Sequence, residues 1–224
     1  MLRISPNALA LPLTFVMAAC TPSGMDMTTD NAPTASSGGQ TLFHQNTAPK
    51  QALRITMTIK DAPGPFQWMR PIAHYDVVNR ECLSPPKDNP GGRSAPTPTA
   101  PTDFVLKPGA DGVYTGVVYA DLMQDEDYTG NGICRWELTS VVVQMKATGA
   151  EGETLFTPNI PQRKLVMGET ETVYFNKIAY PRLASSELRN PISTGQSDRS
   201  RFGASIQDRD LFTVTFAIEE GAAE

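Results

Sequence analysis

Apolar and polar positions alternate along several stretches of the chain. Leu53-Arg54-Ile55-Thr56-Met57-Thr58-Ile59-Lys60 switches at every step, the period of two that turns one face of a strand to a core and the other to solvent. Ala73 to Val78 repeats the pattern around Ala73, Tyr75 and Val77, and Val113 to Leu122 is β-branched and aromatic without a proline. Ile133 to Ala147 and Val173 to Ile178 extend the series, and Phe212-Thr213-Val214-Thr215-Phe216-Ala217-Ile218 closes it. Turn-forming residues separate these runs at Pro63-Gly64-Pro65, Ser84 to Pro101, Pro108 to Gly112 and Gly149 to Gly152. This punctuation, with no long amphipathic helical repeat, predicts an all-β fold: an antiparallel β-sandwich with long loops.

The longest strand candidate contains a conflict. Cys134, Trp136 and Leu138 share one parity, whereas Val141, Val143, Met145 and Ala147 share the other. No straight strand buries both sets on one face, so either a bulge near Thr139-Ser140 shifts the register by one residue or the strand is covered on both sides. The bulge is the preferred reading, and it places Cys134 and Trp136 on the inner face.

Ahead of the strands the pattern changes. A single charge at Arg3 precedes an apolar stretch from Ala8 to Ala19, interrupted only by Pro12 and Thr14 and ending in Met17-Ala18-Ala19-Cys20. That is the order of a secretory signal, and the run is far shorter than the roughly 20 residues a membrane-spanning helix needs. A cysteine directly after the small pair resembles a bacterial lipoprotein signal, which implies that residues 1–19 are removed and Cys20 becomes the lipidated N-terminus. An ordinary signal with a chance cysteine is the competing reading. From Thr21 to about Lys50 the chain is mostly Thr, Ser, Pro, Gly, Asn and Asp, so residues 20–50 are expected to be the lipidated cysteine and a flexible tether, with residues 51–224 as the sandwich domain. Thr21, where an Asp would resemble an inner-membrane retention signal, implies an outer-membrane lipoprotein facing the periplasm. His44, in the tether, reads as a solvated residue.

The folding unit that remains, about 170 residues, suffices for one full core. The net charge of -5 becomes -6 when the one positive charge of Arg3 is lost, a balance that argues against nucleic acid as partner. Only Cys82 and Cys134 remain beyond Cys20. In an exported chain two such thiols predict one disulfide; the alternative is two separate thiols, one free and buried.

Two long breaks stand out, and the second is the candidate contact surface. Ser84 to Pro101 is proline-rich and expected to be an exposed, extended loop. Ala184 to Asp210 is polar, with a short helix expected at Ser185 to Arg189, and carries Arg189, Arg199, Arg201 and Arg209. Loops this long are usually functional or disordered, and arginine forms bidentate pairs with carboxylates, so these four are the candidate partner-binding residues; a solvated loop is the alternative. Trp68, beside Phe66 among Pro63, Pro65 and Pro71, is a further candidate anchor; plugging one end of the sandwich is the other reading for this pair.

Catalytic chemistry finds little support. The histidines are His44 and His74, and no Gly-x-Ser-x-Gly elbow, His-Glu-x-x-His helix or phosphate-cradling glycine loop is present. A pair of carboxylates could serve glycosidic chemistry, but no such pair is visible in a linear chain. A non-enzymatic protein without a cofactor is expected. Asp125, Asp127 and Thr129, followed by Gly130, resemble the start of a calcium loop. The closing position, however, is Trp136, and Glu137 comes one residue late. Asp, Asn and Gly also suit a wide turn, so no metal is expected, with these three as the candidate ligands.

The lipoprotein signal, the tether, the single-disulfide β domain and the run from Asp125 to Leu138 together resemble the small immunity lipoproteins encoded beside secreted antibacterial effectors. The resemblance is architectural for most of the chain. It implies a lipid-anchored, periplasm-facing protein whose partner is another protein, a secreted toxin that it occludes. A structural or assembly lipoprotein of an envelope machine, or a ligand- or calcium-binding module, is the alternative.

Overall fold

The computed structural model describes residues 43–83, 96–182 and 190–221. The expected signal peptide, Cys20, most of the expected tether, Arg189 and the helix expected at Ser185 to Arg189 lie outside these residues. Among the described residues there are eleven strands: β1 (Ala52–Lys60), β2 (Trp68–Val77), β3 (Thr99–Asp103), β4 (Lys107–Pro108), β5 (Val113–Tyr119), β6 (Trp136–Lys146), β7 (Leu155–Phe156), β8 (Asn159–Pro161), β9 (Thr170–Asn176), β10 (Ile192–Ser193) and β11 (Leu211–Glu220). They form two sheets, ordered β4-β5-β1-β11-β9 and β10-β7-β6-β2-β3, with β8 also paired to β6. Neighbours run antiparallel except the two-residue β10–β7 pair. The fold is an all-β sandwich tied by one disulfide.

The alternating residues supply the core. Ile55 and Met57 of β1 and Val214, Phe216 and Ile218 of β11 face inward from the first sheet, against Ala73, Tyr75 and Val77 of β2 and Val141, Val143 and Met145 of β6. Each large side chain so buried contributes about 1.5–3 kcal/mol relative to exposure. Phe66, Phe156, Phe175 and Phe212 interlock, with ring centroids 5.1 to 5.8 Å apart in the contacting pairs. Phe66 is therefore a core plug. Trp68, two residues on, opens β2 with 36% of its surface exposed.

The bulge falls where the parity conflict places it. His74 faces Ser140 while Tyr75 faces Leu138, which leaves Thr139 as the extra residue on β6. Its hydroxyl reaches the Asp76 carboxylate and the His74 carbonyl, so the bulged residue is held by side-chain hydrogen bonds in place of a ladder position. Cys134, Trp136 and Leu138 are buried, and so are Val141, Val143, Met145 and Ala147. Cys82 and Cys134 are bonded with Cα atoms 5.1 Å apart, joining the turn after β2 to the approach of β6.

Two expectations are corrected. The break from Ser84 to Pro101 is not loop to its end, because Thr99–Asp103 forms β3 on the outer side of β2, with Pro101 opposite His74. An edge strand tolerates a proline because one side of its backbone need not donate to a neighbour. The segment up to Lys50 is not tether to its end either, since residues from Phe43 onward lie against the sandwich.

Candidate functional site

The docked segment 43–50 builds one side of the site. Phe43 meets Trp136 edge-on at 4.7 Å and Tyr128 at 5.0 Å between centroids. His44 Nδ1 lies 2.7 Å from Glu126 Oε2, Gln45 bridges to Met123, and the Asn46 amide donates to the Leu122 carbonyl at 2.7 Å. Asp121 then fixes the entry to β1: its carboxylate accepts from the backbone N–H groups of Lys50 and Gln51, each at 2.9 Å. Burial pushes the Asp121 carboxyl up, but these amides and the Lys50 charge together outweigh it and hold the group below the ordinary aspartate range.

Beside this segment is a cleft of about 530 Å³. Four parts of the chain converge on it: Asn46 to Leu53, Ala120 to Asp125, the start of β6 from Trp136 to Leu138, and Gln162 with Leu165 after β8. Leu53, Met123, Trp136, Leu138 and Leu165 give it apolar surface, while Asp121, Asp125 and Glu137 supply carboxylates. Among the described residues the lining contains amide side chains but no Lys, Arg, His, Ser, Thr, Tyr or Cys. Asp125 Oδ1 accepts from the Trp136 amide at 2.8 Å, and Glu137 Oε2 accepts from Gln162 Nε2. Trp136 is 7% exposed, and its indole Nε1–H has no acceptor among the described residues.

The calcium-like run divides between two tasks. Asp125 supports the cleft wall, whereas Asp127 Oδ1 accepts from the amides of Gly130 (2.7 Å) and Thr129 (3.3 Å). Gly130 and Gly132 take φ of +80° and +108°, which a side chain resists. Burial pushes the Asp127 carboxyl up, but the amides from Thr129 to Gly132 prevail and lower it. The Thr129 hydroxyl donates to the Cys82 carbonyl. Asp125, Asp127 and Thr129 thus serve backbone groups at separate places, as a wide turn requires, and among the described residues no three His, Cys, Asp or Glu side chains gather as a metal-holding group.

Of the candidate arginines, Arg199, Arg201 and Arg209 are described, and none of these three lines the cleft. Arg199 pairs with Asp208 at 2.7 Å and donates to the Ile206 carbonyl at 2.7 Å, closing its own loop. Arg201 is exposed at the end of a short 3-10 turn, and the exposed Arg209 accepts at its carbonyl from Lys177 Nζ at 2.9 Å. Trp68 covers Gly149, where a Cβ would lie 3.3 Å from the indole. His74, half-buried on β2, stands in the ladder between Ser140 and Pro101. Sequence reasoning did not find the cleft; the one local signal was Phe43, an aromatic in a polar stretch. The chain matches no protein-family model, no curated protein and no solved structure.

Proposed function

We propose that this chain is a non-enzymatic, lipid-anchored protein of the bacterial envelope that faces the periplasm and binds a protein partner, as an immunity protein that neutralises a secreted antibacterial effector. The observation that carries the reading is the lining of the cleft. Carboxylates, amides and apolar side chains can recognise and hold; a hydrolytic site of the serine, threonine or cysteine type needs a hydroxyl or thiol beside a base, and among the described residues none lines this cleft. Asp121, held ionised by backbone amides, is poorly suited to general-acid work, which calls for a raised pKa near the operating pH. A sandwich with a disulfide near the cleft wall supplies the rigidity that occlusion of a partner requires. Anchoring through Cys20 would keep the protein in the compartment an incoming effector enters.

The reading is tested by deleting the gene and exposing the cells to kin that deliver the effector. Deleted cells should die on contact, and periplasmic expression of the chain should rescue them. Cys20→Ser should abolish acyl labelling and release the chain from the membrane fraction. Full survival of the deletion strain under demonstrated delivery would end the immunity reading and favour a role in envelope assembly.

A further inference from the structure

We infer that the cleft receives a lysine or arginine side chain of the protein partner, presented among apolar neighbours. The assignment rests on the protein-partner reading and adds to it the site and the chemistry of what enters. Three carboxylates, Asp121, Asp125 and Glu137, border the cleft, and among the described residues no cationic side chain lines it. Asp121 is satisfied by the amides of Lys50 and Gln51. Asp125 and Glu137 each hold one internal donor through a single oxygen. Asp125 Oδ2 and Glu137 Oε1 therefore keep their acceptor capacity, on two segments that the fold brings to one opening.

The apolar surface selects the kind of cation. Leu53, Met123, Leu138 and Leu165 lie in the same lining, and such surface suits the methylene stem of a long basic side chain whose charged head sits among carboxylates. A small hydrated metal ion has no use for it. Val166 and Met167, next in sequence to Leu165, have 55% and 58% of their surfaces exposed. The volume, about 530 Å³, lies within the few hundred to a thousand Å³ typical of ligand clefts, room for a side chain and part of its neighbours.

The experiment uses the full ¹⁵N-labelled chain in detergent and four blocked tripeptides, acetyl-Ala-X-Leu-amide, with X as lysine, arginine, norleucine or glutamate. The chain has two tryptophans, so Trp68→Phe assigns the Trp136 indole signal, which reports on the cleft wall. The lysine and arginine peptides should shift that signal and bind at least tenfold more tightly than the norleucine and glutamate peptides, with the preference shrinking in high salt. The double variant Asp125→Asn, Glu137→Gln keeps acceptors for the Trp136 amide and Gln162 while removing the charge; it should abolish the preference. A second variant, Gln162→Lys, places a competing ammonium beside Glu137 at an exposed position and should do the same without touching the core. Equal binding of the lysine and norleucine peptides, or a lysine preference that survives both variants, overturns the assignment. Displacement of the peptides by spermidine at lower concentration than by lysine peptide itself would also overturn it, in favour of a free polyamine. These outcomes are separable from the contact-killing assay: a cleft without the preference, in a chain that still protects cells, removes this site and leaves the partner reading standing.

Discussion

Phe43→Ala tests whether the segment entering the sandwich is part of the fold. The ring is half-buried, so its loss forfeits roughly half of the ~1.5–3 kcal/mol of a fully buried phenylalanine. It also removes two edge-on contacts, at 4.7 Å to Trp136 and 5.0 Å to Tyr128, each worth about 0.5–1.5 kcal/mol beyond area. Allowing for relaxation of the exposed side, the net cost is about 2 kcal/mol, which for a chain of this size corresponds to a fall in Tm of about 4–8 °C. Urea unfolding followed by tryptophan fluorescence reads it directly, because Trp136 is the ring that loses its neighbour. Phe43→Leu keeps most of the apolar area and should recover about half of the loss. An unfolding midpoint for Phe43→Ala within error of the parent, at unchanged slope, would show that residues 43–50 are tether after all and that Asn46 is no fixed wall of the cleft.

Replacing both Cys82 and Cys134 by serine should cost about 4 kcal/mol, the chain-entropy value for a loop of this length, given the sequence separation of 52; identical urea midpoints for the bonded and serine forms would refute it. Asp121, whose carboxyl is lowered in the folded chain, adds stability that is complete above the unfolded value of about 3.9 and disappears as pH falls through the lower folded value. Asp121→Asn should therefore be less stable than the parent at pH 7 and lose less stability between about pH 5 and 3, so parallel stability–pH curves would contradict the role given to Asp121. Millimolar calcium should leave the Tm unchanged, because Asp125 and Asp127 serve separate backbone donors; a rise of several degrees that vanishes in Asp125→Ala, and that magnesium does not reproduce, would reinstate the metal site.

What could be read from the sequence follows from how local each signal is. Thr139 was locatable to within a residue because parity is a property of neighbouring positions, and a set buried on one face of a strand can change parity only through an insertion. β1 and β11 announced themselves for the same reason. β4, β7 and β10 span two residues each, too few to display any period, so their existence depends on what they lie beside. β3 carries a proline that normally argues against a strand, and only its place at the sheet edge makes it permissible. Phe66 and Trp68 looked alike in sequence, yet one is core and the other half-open, since β2 begins between them. The cleft is the extreme case. Asp121 falls at the end of the strand read from Val113 to Leu122, Asp125 in a turn that resembles the start of a calcium loop and Glu137 one residue late for that loop, and nothing in their spacing unites them around an opening. They meet because the return from β5 to β6 folds beside the entry to β1, while Phe43 anchors that entry against Trp136. The chemistry of the opening is thus a property of the tertiary arrangement, and the same three carboxylates in a chain without the strap would border open solvent.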